Sequence, residues 1–189
     1  MTERELLADC LRRLNRLGLP YMLTGSMASN YWGVPRTTHD LHFVLSFEED
    51  RAVAIVAAFD DDYALEEASV RGALRRPHMF NAIDRRSALK VDFWTLRRDP
   101  FEEQMFARRL RVTLFGEPAW IATAEDTLLH KLYWNRITPS ERQLGDAAGI
   151  VAVQGADLDR NHLEHWAREL AIGTVLHDLL EGKIRPKST

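Results

Sequence analysis

The sequence predicts an α/β chain, a sheet with flanking helices followed by an extension built of helices alone. Three observations predict it. Residues 21–45 read strand, helix, strand. Residues 79–94 read as two strands joined by a polar turn. From Thr123 onward every periodic segment is helical.

A chain of 189 residues with 46% hydrophobic residues has enough apolar material for one domain, or a domain with a small helical appendix. No run approaches the ~18 apolar residues that a membrane span needs, and the N-terminal stretch is polar and charged rather than signal-like. No membrane association is expected. The single cysteine, Cys10, allows no internal disulfide, which points to a reducing cytoplasm. The net charge of −3 does not mark a nucleic-acid binder. Arginines do pair locally, at Arg75-Arg76, Arg85-Arg86, Arg97-Arg98 and Arg108-Arg109. With Asp99, Glu102 and Glu103 close in sequence, such pairs read more simply as solvated surface than as an RNA groove.

In chain order, Thr2 and Glu5 form a capping-box pattern ahead of a helix over residues 2–17. Its apolar face carries Leu6, Leu7, Cys10, Leu11, Leu14 and Leu17, and Gly18 and Pro20 end it. Residues 21–24 are a short apolar strand that stops at Gly25-Ser26. Gly25 permits a tight turn and Ser26 can cap, so a helix from Met27 to about Trp32 is expected, broken by Gly33-Val34-Pro35. The second strand begins near Asp40, with Leu41, Phe43 and Leu45 alternating with Asp40, His42 and Val44, so Asp40 and His42 share a face. Ser46 and Glu49 repeat the capping pattern before a helix containing Ile55 and Phe59.

Residues 63–74 read as a short strand with a helical turn, closed by Pro77. The hairpin strands are residues 79–83 and 89–94, and Lys90, Asp92 and Trp94 face away from Val91 and Phe93, leaving Asp92 on an exposed strand face. A short helix over 101–108 and edge strands at 111–115 and 119–121 complete this part. Thr123 starts the first C-terminal helix, with Leu128, Leu129, Leu132 and Tyr133 as its buried stripe and Lys131 on another face. Helices from Pro139, over residues 159–170 and over residues 175–180 follow. His162 and His165, three apart on a polar helix, read as surface.

The junction at Gly25-Ser26 is the feature with chemical content. Backbone N–H groups at a helix start lack intrahelical partners and lie at the positive end of the helix dipole, so they can hold a phosphate. Standing alone, such junctions are common. Here the strand carrying Asp40 follows within fifteen residues, and Asp92 lies on a later strand.

An apolar strand, Gly-Ser, a spacer holding Arg36 and Thr38, and then Asp40 on a strand resemble the signature of the DNA polymerase beta-like nucleotidyltransferase superfamily. The likeness is greatest to its bacterial branch of minimal nucleotidyltransferases and abortive-infection toxins. Glu125-Asp126, His130-Lys131, Arg142 and Asp146 also look like the C-terminal region of that branch. The resemblance implies a mixed-sheet nucleotidyltransferase core flanked by helices over residues 1–122 and a C-terminal helical subdomain over 123–189.

The same resemblance implies transfer of a nucleoside monophosphate from a nucleoside triphosphate to a hydroxyl of tRNA, a protein or a small molecule. Asp40 and Asp92 are then catalytic. Asp40, His42 and Asp92 hold Mg2+ or Mn2+, and Gly25, Ser26, Arg36, Thr38 and Lys131 hold the triphosphate. His42 departs from the family pattern, which has a second acidic residue there.

Each assignment has a plainer alternative. Asp40 can cap a turn, Asp92 can be a solvated strand residue, Arg36 can pair with a surface carboxylate, and Lys131 can pair with Asp126 or Glu125. His42 is a nitrogen ligand favouring manganese over magnesium, a contact for acceptor or phosphate, or a bystander in a centre that has lost catalysis. The last option makes the chain a nucleotide-binding or partner-binding module, as in a toxin–antitoxin-like pair.

Overall fold

The computed structural model describes residues 1–38, 40–75 and 78–186. Arg76 and Pro77, read above as half of an arginine pair and as the end of a segment, lie outside the described residues.

Helix α1, Glu3–Leu17, begins at Thr2, whose hydroxyl accepts the Glu5 amide while the Glu5 carboxylate accepts the Thr2 amide. It ends at Gly18 in the left-handed region. Strand β1, Tyr21–Thr24, runs into helix α2, Gly25–Trp32. The remaining elements are β2 (Leu41–Leu45), α3 (Ala52–Phe59), β3 (Tyr63–Ala64), α4 (Glu67–Ala73), β4 (Met79–Asp84), β5 (Lys90–Thr95), α5 (Pro100–Ala107), β6 (Leu110–Leu114), β7 (Glu117–Ile121), α6 (Ala124–Ile137), α7 (Glu141–Gln154), α8 (Arg160–Glu169) and α9 (Gly173–Leu180). Ser46 does not cap α3. A single 3-10 turn, Glu49–Arg51, leads into that helix instead. Among the described residues no helix is long and apolar enough to cross a membrane.

The chain forms two compact units. The first holds Met1–Thr24 and His39–Ile121, and all seven described strands lie in it as one mixed sheet in the order β3-β4-β5-β2-β1-β7-β6. The β4–β5 hairpin and the β1–β2 pair are antiparallel, whereas β2 runs parallel to β5 and β1 to β7. An aromatic cluster fills the core. The Phe93 ring packs on Phe43, Phe80 and Phe59 at centroid separations of 5.6, 5.1 and 5.5 Å. Cys10 is buried beside the Tyr63 hydroxyl, and burial pushes its thiol up to about 12, so it is a packing residue rather than a nucleophile.

The second unit holds Gly25–Thr38 and Ala122–Thr189. Helix α2 packs on α6 and α7. The Trp32 indole donates to the Ala122 carbonyl at 2.7 Å, and the Gln154 amide donates to the Trp32 carbonyl at 2.7 Å. Thr123 caps α6 and Asp159 caps α8.

His162, expected at the surface, is turned inward. Its Nε2 stands 2.7 Å from Oδ1 of Asp126, which is fully buried and also accepts the Thr123 hydroxyl. The ring thus partners a carboxylate on α6.

Candidate functional site

In the first unit, strand register assembles a polar row. Thr24 pairs with His42 across β1 and β2, His42 with Asp92 across β2 and β5, and Asn81 with Asp92 across β4 and β5. Directly paired residues project to the same face, so the four side chains line up across four strands. Asp92 is 8% exposed, which corrects the expectation of an open strand face. Alternation along β5 fixed the face but said nothing about what crowds it. The Asn81 amide donates to Asp92 Oδ1, the Lys90 ammonium forms an ion pair with that same oxygen at 3.0 Å, and His42 Nε2 lies 3.3 Å from Oδ2. Thr24 is buried, and its hydroxyl finds no hydrogen-bond partner among the described residues. Asp40 is exposed and immediately precedes β2 rather than lying inside it.

In the second unit, Gly25 has φ +67° and opens α2, with Ser26 next inside the helix rather than capping it from outside. Asn30 fixes the Arg36 backbone, donating to its carbonyl at 2.7 Å and accepting its amide at 3.1 Å. The guanidinium then grips Asp146 with a two-pronged contact, Nε to Oδ1 at 2.6 Å and Nη2 to Oδ2 at 2.8 Å, and reaches the Ser26 hydroxyl at 3.0 Å. Lys131 is 5% exposed and donates to Asp146 Oδ2 at 2.7 Å. Ser29 donates to the Ser26 carbonyl at 3.0 Å and lies 3.4 Å from Asp146. Thr38 lies partly exposed in the segment after Arg36.

No family model matches the chain, and no curated protein matches it in sequence. Solved structures do match it. An antigenic nucleotidyltransferase-like protein from Paracoccidioides brasiliensis superposes with a TM-score of 0.64 at 14% identity, over 98% of this chain and 94% of that one. ANT(2")-Ia, solved in complex with adenylyl-2"-tobramycin, gives 0.60 at 15% identity over 90% and 98%. A putative nucleotidyltransferase from Thermotoga maritima gives 0.51 at 18% identity over 70% and 84%.

The chain has the nucleotidyltransferase fold.

On this nucleotidyltransferase fold the structure brings His42 to Asp92 in one unit, and Ser26, Arg36 and Lys131 onto Asp146 in the other. Lys131 pairs with Asp146 rather than with Asp126 or Glu125, and it is buried rather than on an outward face. Burial pushes the Lys131 ammonium below its ordinary value, against the opposing pull of Asp146. For Asp146 burial works the other way, but the Arg36 hydrogen bond and the Lys131 charge outweigh it and hold the carboxyl below the usual carboxylate range. One carboxylate thus faces two cations.

Sequence reasoning noted Asp146 and gave it no task. The available signal was its place four residues before Ile150 and beside Ala147, on a buried helical stripe where a carboxylate requires a partner.

Two carboxylates and an imidazole are donors that suit a divalent cation, manganese more than magnesium because of the nitrogen. Among the described residues no three His, Cys, Asp or Glu side chains stand together as a group that could hold a metal ion. Asp40, His42 and Asp92 thus do not gather into one ligand set, and their arrangement does not fit the ion.

Proposed function

We propose that this chain transfers a nucleoside monophosphate from a nucleoside triphosphate to a hydroxyl acceptor, with release of pyrophosphate. The observation that best supports this reading, on a nucleotidyltransferase fold, is the gathering of Ser26, Arg36 and Lys131 on Asp146. Gly25, Ser26, Arg36, Thr38 and Lys131 hold the triphosphate, the guanidinium and ammonium neutralising its oxygens. The acceptor oxygen attacks the α-phosphorus, the bond from that phosphorus to the pyrophosphate oxygen breaks, and pyrophosphate leaves carrying the bond's electrons. Asp92 takes the proton from the acceptor hydroxyl. Asp40, His42 and Asp92 would be the residues to hold Mg2+ or Mn2+, which would supply charge stabilisation of the phosphoryl oxygens.

The test is calorimetry of triphosphate binding followed by transfer of a labelled nucleotide to an aminoglycoside, tRNA or cell protein. Arg36→Met and Ser26→Ala together are expected to weaken triphosphate binding about tenfold or more. Unchanged binding would remove the triphosphate from this set of residues.

A second reading, a nucleotide-binding module without catalysis, is favoured by the crowding of Asp92 by Lys90, Asn81 and His42. His42→Asp separates the two. In the natural chain Mn2+ is expected to support transfer better than Mg2+, and in the variant the order is expected to reverse, because an oxygen ligand replaces nitrogen. If the natural chain shows no transfer with either ion and the variant gains it, the module reading holds. A natural chain that prefers Mg2+ takes His42 out of the ligand set.

A further inference from the structure

Among the described residues strand β6 has no neighbour beyond it, and its five residues make it a longer open edge than the two-residue β3 at the other side of the sheet. An unpaired row of N–H and C=O groups is a template for another strand, and natural sheets keep such edges short or cover them. Which groups are free follows from the turn. Phe115 and Gly116, at φ +50° and +84°, form a two-residue hairpin turn that closes on the pair Leu114 and Glu117. The closing pair exchanges hydrogen bonds and bonded pairs then alternate with non-bonded ones. Leu110, Val112 and Leu114 therefore direct their backbone groups at β7, and Arg111 and Thr113 direct theirs outward. Pro118, opposite Thr113, is consistent with this, since it has no N–H to give and its carbonyl accepts from Asn15 and Tyr21 on the side away from β6. The side chains alternate too. Leu110 and Val112 share a face with the buried Ile121 and Ala119, whereas Arg111 shares the other with Trp120. Helix α1 packs on β7 and leaves the outer row half covered, with Leu110 45% exposed, Phe115 in the turn 43% exposed, and Val112 and Leu114 half-buried.

We infer that two copies of this chain associate through β6, antiparallel and related by a two-fold axis at Val112, so that their sheets join into one. The strand is self-complementary about that residue. Arg111 stands opposite the partner's Thr113, Leu110 opposite the partner's Leu114, and Val112 opposite the partner's Val112. Arg111 and Thr113 are the residues with outward backbone groups, so each exchanges N–H to C=O bonds with the residue it faces. Val112 then falls at a non-bonded pair, where Cα atoms approach to about 4.5 Å. The leucines and valines of both copies lie on one face and cover each other's half-exposed row. An axis at Arg111 instead would set arginine against arginine, a like-charge pair that destabilises a sheet. A second copy suits this edge because the register that joins its free backbone groups is also the one that joins its apolar residues and separates its arginines.

Sedimentation equilibrium of the full chain over a range of concentrations is expected to show monomer and dimer in exchange. Thr113→Pro removes an outward N–H that the single chain does not use, on an edge strand, where proline is tolerated. It is expected to leave the urea midpoint unchanged and to weaken the dimer about tenfold or more. Two cysteine variants test the register. Val112→Cys is expected to cross-link as a dimer on oxidation with diamide, because a non-bonded antiparallel pair has the Cα spacing that a disulfide needs. Thr113→Cys, whose counterpart is displaced along the strand, is expected to run as a monomer on the same non-reducing gel. The natural Cys10 is fully buried and does not compete. A chain that is monomeric at every concentration overturns the inference. So does a dimer that Thr113→Pro leaves intact, or one in which Thr113→Cys cross-links as readily as Val112→Cys, since either puts the contact or its register elsewhere.

Discussion

Replacing Asp146 with alanine is expected to destabilise the chain by about 3–5 kcal/mol, because it strands the charge of Lys131 in a buried position. Lys131 and Asp146 side chains are each 6% exposed, so water cannot take over the lost partner. Arg36 loses both prongs of its contact in the same step but is more exposed, and it can turn to solvent. Urea denaturation measures the loss directly as a fall in midpoint. The double variant Asp146→Ala with Lys131→Met is expected to recover a large part of it, since the uncompensated charge leaves with the lysine. A single variant that loses less than about 1 kcal/mol, the range of an exposed pair, would show that the buried arrangement does not hold in solution.

The same pair predicts an acid response. The Asp146 carboxyl titrates below its unfolded value, so its contribution is complete above the unfolded carboxylate range of about 4 and is lost as the pH falls through the folded value. The natural chain is therefore expected to lose stability over that acidic window. Asp146→Ala is expected to lose less of its remaining stability there.

Local signals carried much of the fold into the sequence. Thr2 and Glu5 set the start of α1 within a single turn, and Gly18 set its end, because both devices act between residues a few positions apart. The β4–β5 hairpin was legible for the same reason, its strands flanking one polar turn. Helix α3 shows the limit. Ser46 and Glu49 match a capping pattern, yet the chain takes a 3-10 turn instead, for which the structure offers no side-chain cap.

What escaped was whatever depends on pairing between distant segments. The surroundings of Asp92 come from β2, fifty residues earlier, and from β4. Alternation gives the face of a strand, while the neighbours on that face follow from strand order. Lys131 sits three residues after Leu128 on the buried side of α6, and Asp146 on the buried side of α7, so each looks like a misplaced charge until the helices are packed together. His162 and Asp126 follow the same rule from α8 and α6. For Lys131, Asp146 and Asp126 a charged residue on an apolar helical stripe was the available sign, and it names a need for a partner without naming the partner; His162, on a polar helix, gave no such sign.

Gly33→Ala is expected to destabilise the chain by about 1–3 kcal/mol, at the upper end of overpacking effects, because the added carbon meets backbone rather than side chain. Gly33 follows α2 and donates its amide to the Ser29 carbonyl at 2.9 Å. A Cβ placed there would stand 2.7 Å from the Ile150 nitrogen, 2.8 Å from the Gly149 carbonyl carbon and 3.0 Å from the Ser29 oxygen. None of these atoms can swing away by changing a rotamer, so α2 and α7 must separate. The approach is reciprocal, since a Cβ on Gly149 would lie 3.1 Å from the Val34 nitrogen. Gly72 provides the contrast within the same protein. It lies in α4 with nothing within 4 Å of an added Cβ, so Gly72→Ala is expected to stabilise the chain by roughly 0.5–1 kcal/mol through reduced backbone freedom in the unfolded state. Both variants are read by urea denaturation at one pH. If Gly33→Ala is tolerated as well as Gly72→Ala, the close crossing of α2 and α7 is wrong. With it would go the packing that brings Arg36 and Asp146 together, because both residues are held by the elements on either side of that contact.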